Sequence, residues 1–276
     1  MASFGQIIFW SMIALIIIVA GLIIFILAIA FSGSKTILVE TPNKYPVGNI
    51  GNDVILDCKF NPLNSKGKEV TQIAIDWVKE GLNGVVYKYD NGVSQLQTQN
   101  PDFKDRAQLF PNAISSGNVS LLLRSVQLKD QGTYTCSVRT SSGKGDISVH
   151  LKMAAYSSPT FTLEPTANRT LKGVAKTWYP KPAVTWENYD GTVLNGSTSY
   201  TNNSAGIFTL ALILTKVNSD DTYQCIIQNN LVTSVSHVTV TGNAIKDEHY
   251  LVISSATFLL PLKLIFLLYV PLWTLS

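Results

Sequence analysis

Cys58, Trp77 and the run Asp130-Gln-Gly-Thr-Tyr-Thr-Cys136 constrain this chain more than any other feature. The two cysteines stand 78 residues apart. Val54, Leu56 and Cys58 fall on alternate positions, as do Ile73, Ile75 and Trp77, and Tyr134, Cys136 and Val138. A period of two puts each set on one face of a strand. Inward cysteines on different strands, with a tryptophan between them in sequence, describe two sheets bridged through a shared core. Trp77 is expected to pack against that bridge. Tyr134, two residues before the second cysteine, is expected to turn its hydroxyl back to the backbone at a corner. Arg106 is placed to pair with Asp130 at the sheet edge. Closing a loop of about 80 residues contributes ~4 kcal/mol in the chain-entropy account.

The same grammar returns further along. Thr160–Leu163, Ala183–Trp186, Phe208–Leu214 and Tyr223–Ile227 read as strands, with turns at Asn91-Gly92, Asp190-Gly191 and Asn195-Gly196. No stretch between the apolar ends holds a helical period over three turns. Trp186 and Asp221-Thr-Tyr223-Gln-Cys225 repeat the tryptophan and the corner. The fold class is therefore all-β: two tandem immunoglobulin-like β-sandwiches, variable-type then constant-type. The wide cysteine spacing of the first leaves room for two extra strands. Gly143-Lys-Gly145 reads as a bulge at the start of its last strand. In the second domain Gly173 stands where the first cysteine belongs. Cys225 is then expected to be an unpaired, buried thiol facing a small gap, and Gly173→Cys to restore the bridge. Trp178-Tyr-Pro-Lys-Pro182 sits where a constant-type domain turns between its second and third strands.

Charge is distributed to match. Charged residues are only 14% of the 276-residue chain, and the net charge is +3. Residues 1–34 carry none, and beyond Glu248 the one charge is Lys263. Residues 1–30 read as a signal peptide, with an uncleaved anchor as the alternative. Ala28-Ile-Ala30 has the small-x-small form of a cleavage site, and a cut nearer Ala20 is also open. Residues 251–275 read as a transmembrane helix or as a lipid-anchor signal removed with its tail. Lys263 costs ~3 kcal/mol at the centre of such a span, which its many Leu, Ile, Phe and Val residues offset. The domains are then 35–153 (variable-type), 154–242 (constant-type, without its bridge) and a stalk at 243–250. Either anchor places the middle outside the cell and leaves no cytoplasmic signalling domain. The expected location is the extracellular face of the plasma membrane, single-pass type I or lipid-anchored.

That compartment is oxidising, so three cysteines make one pair, Cys58 with Cys136, and one leftover, Cys225. Asn118, Asn168, Asn195 and Asn202 each open an Asn-x-Ser/Thr triplet and are expected to be glycosylation sites. His150, His237 and His249 are scattered, and no Cys-x-x-Cys occurs, so no metal or other cofactor is expected. No nucleophile elbow, phosphate loop, zinc-protease helix motif or dinucleotide fingerprint is present, and an enzyme with a small-molecule substrate is not expected. The small net charge argues for no nucleic-acid partner.

The order of segments resembles the T-cell co-signalling ligands related to butyrophilins and myelin oligodendrocyte glycoprotein. Met1-Ala-Ser-Phe-Gly-Gln-Ile-Ile-Phe-Trp10, Trp77-Val-Lys-Glu-Gly81, Val126-Gln-Leu-Lys-Asp130 and Ser142-Gly-Lys-Gly145 closely resemble a co-inhibitory member of that family. Gly173 departs from its pattern. The resemblance implies a cell-surface ligand that restrains T-cell activation, proliferation and cytokine release by binding a protein receptor on T cells. An adhesion molecule, or a surface receptor coupled to a partner through Lys263, is the alternative. In paired variable-type domains one sheet commonly meets partners. Tyr87 and Tyr89, with Arg139, Ser141 and Lys144 of the last hairpin, are the receptor-binding candidates, because Tyr and Arg are enriched at binding hot spots.

Overall fold

The computed structural model describes residues 4–31, 35–64, 66–164 and 168–254. Lys263 and the apolar run beyond Ser254 lie outside the described residues. Helix α1 (Phe4–Phe31) has no charged residue in its first or last turn. Phe9–Ile26 is long and apolar enough to cross a membrane, which also suits a signal sequence.

The first domain holds β1 (Val39–Glu40), β2 (Val47–Asn49), β3 (Val54–Leu56), β4 (Lys59–Phe60), β5 (Ala74–Lys79) and β6 (Tyr87–Asp90). It continues with β7 (Val93–Ser94), β8 (Ala107–Gln108), β9 (Leu121–Leu123), β10 (Gly132–Thr140) and β11 (Gly143–Ala154). A six-stranded sheet of order β2-β11-β10-β5-β6-β7 packs against a three-stranded one of order β3-β9-β8, and β1 pairs with β4. The alternating pattern of β5 buries Ile75 and Trp77, and that of β10 buries Tyr134, Cys136 and Val138. Cys58 and Cys136 are joined, with Cα atoms 6.6 Å apart. Trp77 is the register partner of Cys136, and its indole N–H donates to the Val119 carbonyl at 3.0 Å. The Tyr134 hydroxyl donates to the Asp130 carbonyl at 2.6 Å. Burial and the nearby Asp130 charge both raise its pKa. Arg106 pairs with the buried Asp130 carboxylate.

Gly143 to Gly145 form no bulge. Thr140↔Gly143, Arg139↔Lys144 and Val138↔Gly145 pair in unbroken register. The glycines serve a close approach instead. Gly143 sits at φ +155°, and a Cβ there would lie 2.0 Å from the Lys35 carbonyl oxygen. Residues 35–37 thereby run beside the start of β11, with Ile37 N–H donating to the Lys144 carbonyl at 2.9 Å.

The second domain holds β12 (Thr160–Glu164), β13 (Thr170–Trp178), β14 (Ala183–Asn188), β15 (Val193–Leu194) and β16 (Ser197–Asn202). It ends with β17 (Phe208–Thr215), β18 (Thr222–Gln228), β19 (Val232–Thr241) and β20 (Ala244–Ile253). The sheets have the orders β12-β13-β17-β16 and β15-β14-β18-β19-β20. Of the segment 243–250 expected as a stalk, residues 244–250 are instead part of β20, and so are Leu251–Ile253 of the expected membrane run; β20 pairs with β19 along its whole length from Thr241↔Ala244 to Val232↔Ile253. Gly242, at φ +59°, makes the turn between them. The stalk reading failed because the segment is polar on the sequence and carries no inward alternation; a neighbouring edge supplied its hydrogen bonds.

Cys225 is free and fully buried. Burial pushes its thiol pKa far above the ordinary range. No gap faces it. The Phe161 ring fills the space beside Gly173 and meets Trp186 edge to face, centroids 5.9 Å apart. The Tyr223 hydroxyl accepts from Asn218 N–H at 2.8 Å, the second corner.

The domains meet without a linker. One core runs from Val39 to Met153 and the other begins at Ala154. Ala155 and Tyr179 exchange backbone hydrogen bonds at 3.0 and 2.8 Å. Asn49 and Tyr156 are also paired, through the Tyr156 N–H at 3.3 Å.

Candidate functional site

The outer face of the six-stranded sheet carries a charged strip across β6, β5, β10 and β11. Its placement follows from register. Trp77↔Tyr87 and Ile75↔Tyr89 are facing pairs, so the tyrosines share the inner side with buried Trp77 and Ile75. Both are half-buried and pack on the core. Tyr87 and Tyr89 therefore leave the candidate surface; period-two alternation exposes the residue between them, Lys88. The Tyr87 hydroxyl pairs with Ser94 at 2.6 Å at the sheet edge.

Lys88 faces Asp76, and its ammonium stands 3.7 Å from Asp76 Oδ1. Asp76 Oδ2 accepts from the Arg139 guanidinium. The Asp76 side chain is only 15% exposed while that of Arg139 is 53% exposed. Asp76 Oδ1 is buried and accepts no hydrogen bond among the described residues. Arg139 is also the register partner of Lys144, and Ser137 that of Asp146, so Lys144 and Asp146 extend the strip onto β11. One carboxylate thus gathers two cations on one face of the sheet, Arg139 by a hydrogen bond and Lys88 at ion-pair distance. Ion pairs this exposed add little stability. Their use is to present ordered donors and charge to a protein surface.

Ser141 plays another part. Its backbone N–H donates to the Thr71 carbonyl at 2.9 Å, and its hydroxyl accepts from Thr71 N–H at 3.1 Å. Ser142 N–H is held by Thr140 Oγ1 at 3.1 Å. The β10–β11 turn is therefore only two residues long and tied to the loop before β5. Arg139 and Lys144 stand on stiff strands at its base. Asp76 was missed by the sequence reading; the Ile75–Trp77 alternation marks it as outward.

None of the four triplets lies on the strands of the strip. Asn118 precedes β9, Asn168 precedes β13, Asn195 precedes β16 and Asn202 ends it. Asn168, Asn195 and Asn202 are exposed. Asn118 is half-buried, and its Oδ1 accepts from the Ser120 N–H at 3.1 Å and the Ser120 hydroxyl at 2.7 Å. Ser120 is itself buried and accepts from Cys58 N–H at 3.1 Å. Among the described residues no His, Cys, Asp and Glu cluster could hold a metal ion.

Comparison with known proteins agrees with this architecture. A family described as the immunoglobulin V-set domain matches residues 41–152, and the butyrophilin subfamily 3 member A2-like Ig-C domain matches residues 160–235. Human V-set domain-containing T-cell activation inhibitor 1 is 37% identical over 257 residues, covering 91% of this chain and 89% of that protein. The CD276 antigen homolog of Xenopus laevis is 32% identical over 228 residues, covering 78% and 73% respectively. The crystal structure of bovine butyrophilin covers 79% of this chain and 99% of its own, with TM-score 0.50 and 22% identity, and shares the fold.

Proposed function

The chain belongs to the family of V-set domain-containing T-cell activation inhibitors, and on that premise we propose that it is a cell-surface ligand that restrains T-cell activation, proliferation and cytokine release by binding a protein receptor on T cells. Its relatives are immune surface proteins of the immunoglobulin superfamily, not enzymes. The observation that carries the reading is the Arg139–Asp76–Lys88 strip. It is an ordered, charged face on a sheet of the first domain; the one triplet of that domain, at Asn118, adjoins β9 of the sheet packed against it, and the other three lie in the second domain, so sugars at these positions leave it open. Residues 1–30 act as the signal, and the C-terminal run holds the chain at the extracellular face of the plasma membrane as a span or a lipid anchor.

The test displays the full chain on antigen-presenting cells and measures T-cell proliferation. Wild type is expected to suppress it, and Arg139→Glu with Lys144→Glu to lose suppression at equal surface level. Undiminished suppression by that variant removes the strip from the reading. A library of T-cell surface proteins, screened against the wild-type chain, identifies the receptor.

A further inference from the structure

Strand β20 closes the edge of the five-stranded sheet of the second domain. It runs back along β19 and ends where the Ser254 N–H donates to the Leu231 carbonyl at 2.8 Å. Leu231 and Asn230, with Tyr179 and Pro180, form one wall of the cleft between the domains; Gln131 and Lys152 are on the other. At ~3.3 Å per residue, ten residues carry the chain about 33 Å. The strand therefore returns the chain from the far end of the second domain to the joint with the first.

Little besides backbone holds it there. All of its residues are exposed except Ile245, which is half-buried. By contrast Val232, Val235, Val238 and Val240 of β19 are buried. Two of its side chains tie inward: Ile245 packs on the core, and His249 meets Ser236 Oγ through Nδ1 at 2.9 Å and stacks on Phe161 with centroids 6.2 Å apart, while its Nε2 meets Asp247 of the same strand at 3.1 Å. On the outer side Tyr250 touches His237, ring centroids 5.7 Å apart. In water the net gain from a backbone hydrogen bond is about the size of the entropy lost in ordering one residue. A ladder with little burial sits near that balance, and such elements open without unfolding the rest.

We propose that β20 is a detachable edge strand that stores and releases tether length. The consequence rests on the reading that the C-terminal run is kept as a membrane span, since a lipid anchor would remove the end of β20 with its tail. With β20 docked, the chain leaves the second domain beside the inter-domain joint, and the two domains lie down towards the bilayer. With β20 released, residues 244–253 become a linker that leaves from Gly242 at the opposite end, and the charged strip of the first domain rises. The balance between the two sets the height at which a partner meets that strip.

Hydrogen exchange on the full chain in detergent tests the strand. Residues 244–253 are expected to exchange at least tenfold faster than 232–241 and 222–228. His249→Ala is expected to speed 244–253 several-fold more and leave 222–228 unchanged. Equal protection of β19 and β20, or a His249→Ala effect shared equally by 222–228, overturns the proposal. A second variant tests the reach. Thr233 and Val252 face each other in register, so Thr233→Cys with Val252→Cys locks the docked state when oxidised. On cells, energy transfer from a label on the first domain to a membrane dye is expected to rise on locking and fall on reduction. Unchanged transfer overturns the tether role. Alkaline carbonate extraction and phospholipase treatment of the same cells judge the span separately: release by either defeats the span reading alone, and the exchange result still decides the strand.

Discussion

The Phe161 ring occupies the space that a side chain at Gly173 would need. A Cβ on Gly173 would lie 2.7 and 2.8 Å from two ring carbons of Phe161, and 3.2 Å from Leu212. Real Cβ atoms do not approach a neighbour so closely, and a packed core resists extra volume. The second domain has not merely lost a disulfide. In place of the inter-sheet bridge it has an aromatic contact between Phe161 and Trp186, with His249 stacked on the Phe161 ring.

Gly173→Cys alone is therefore expected to lower the melting temperature of the second domain and leave Cys225 free, the reverse of the sequence expectation. Phe161→Ala alone is expected to cost ~3 kcal/mol through the cavity it opens. The two changes together are expected to cost less than their sum, because each relieves the other. Calorimetry with a thiol count checks all three. A bridge formed by the single variant, with a raised melting temperature, would sink the aromatic-replacement account.

Cys225 is expected to resist maleimide in the native protein and to react on unfolding. Burial disfavours the thiolate, so its folded pKa is raised above an unfolded value of about 8.5. The sign follows from linkage: this contribution is fully present below the unfolded pKa and is lost as pH rises above it. Melting temperatures between neutral and alkaline pH are expected to fall more steeply for wild type than for Cys225→Ala. Parallel slopes, or rapid native labelling, contradict the burial assignment.

Stability and binding should separate on the first domain. Tyr87→Ala and Tyr89→Ala are expected to destabilise it, by roughly 1–3 kcal/mol each, since both rings pack on the core. Asp76→Asn is expected to change stability by under about 1 kcal/mol while weakening receptor binding, because Arg139 and Lys88 lose the charge that positions them. Urea melts paired with cell-binding titrations distinguish the two classes. Tyrosine variants of normal stability that lose binding would return those residues to the interface.

Asn118 has a structural role whether or not it carries sugar. Its Oδ1 holds Ser120, which holds the Cys58 backbone beside the disulfide. Asn118→Ala in enzymatically deglycosylated protein is expected to cost about 1–2 kcal/mol, and Asn202→Ala almost nothing. Equal melting curves for the two variants count against that role.

The period-two alternation, the Trp77 and Trp186 positions and the two Tyr-x-Cys corners determined the two sandwiches from sequence alone. These are local signals: burying one face of a strand forces apolar residues onto every second position, and a corner tyrosine finds its backbone partner only a few residues away. Register is not local. Tyr87-Lys88-Tyr89 reads equally well facing either way until β6 is aligned on β5, and a shift of one residue reverses it. The same holds for Gly173, whose sequence neighbours say nothing of the Phe161 ring brought in from β12. It holds for β20, an exposed segment whose pairing partner is the free edge of β19. Each of these depends on which strand lies next to which, and tertiary packing alone decides that.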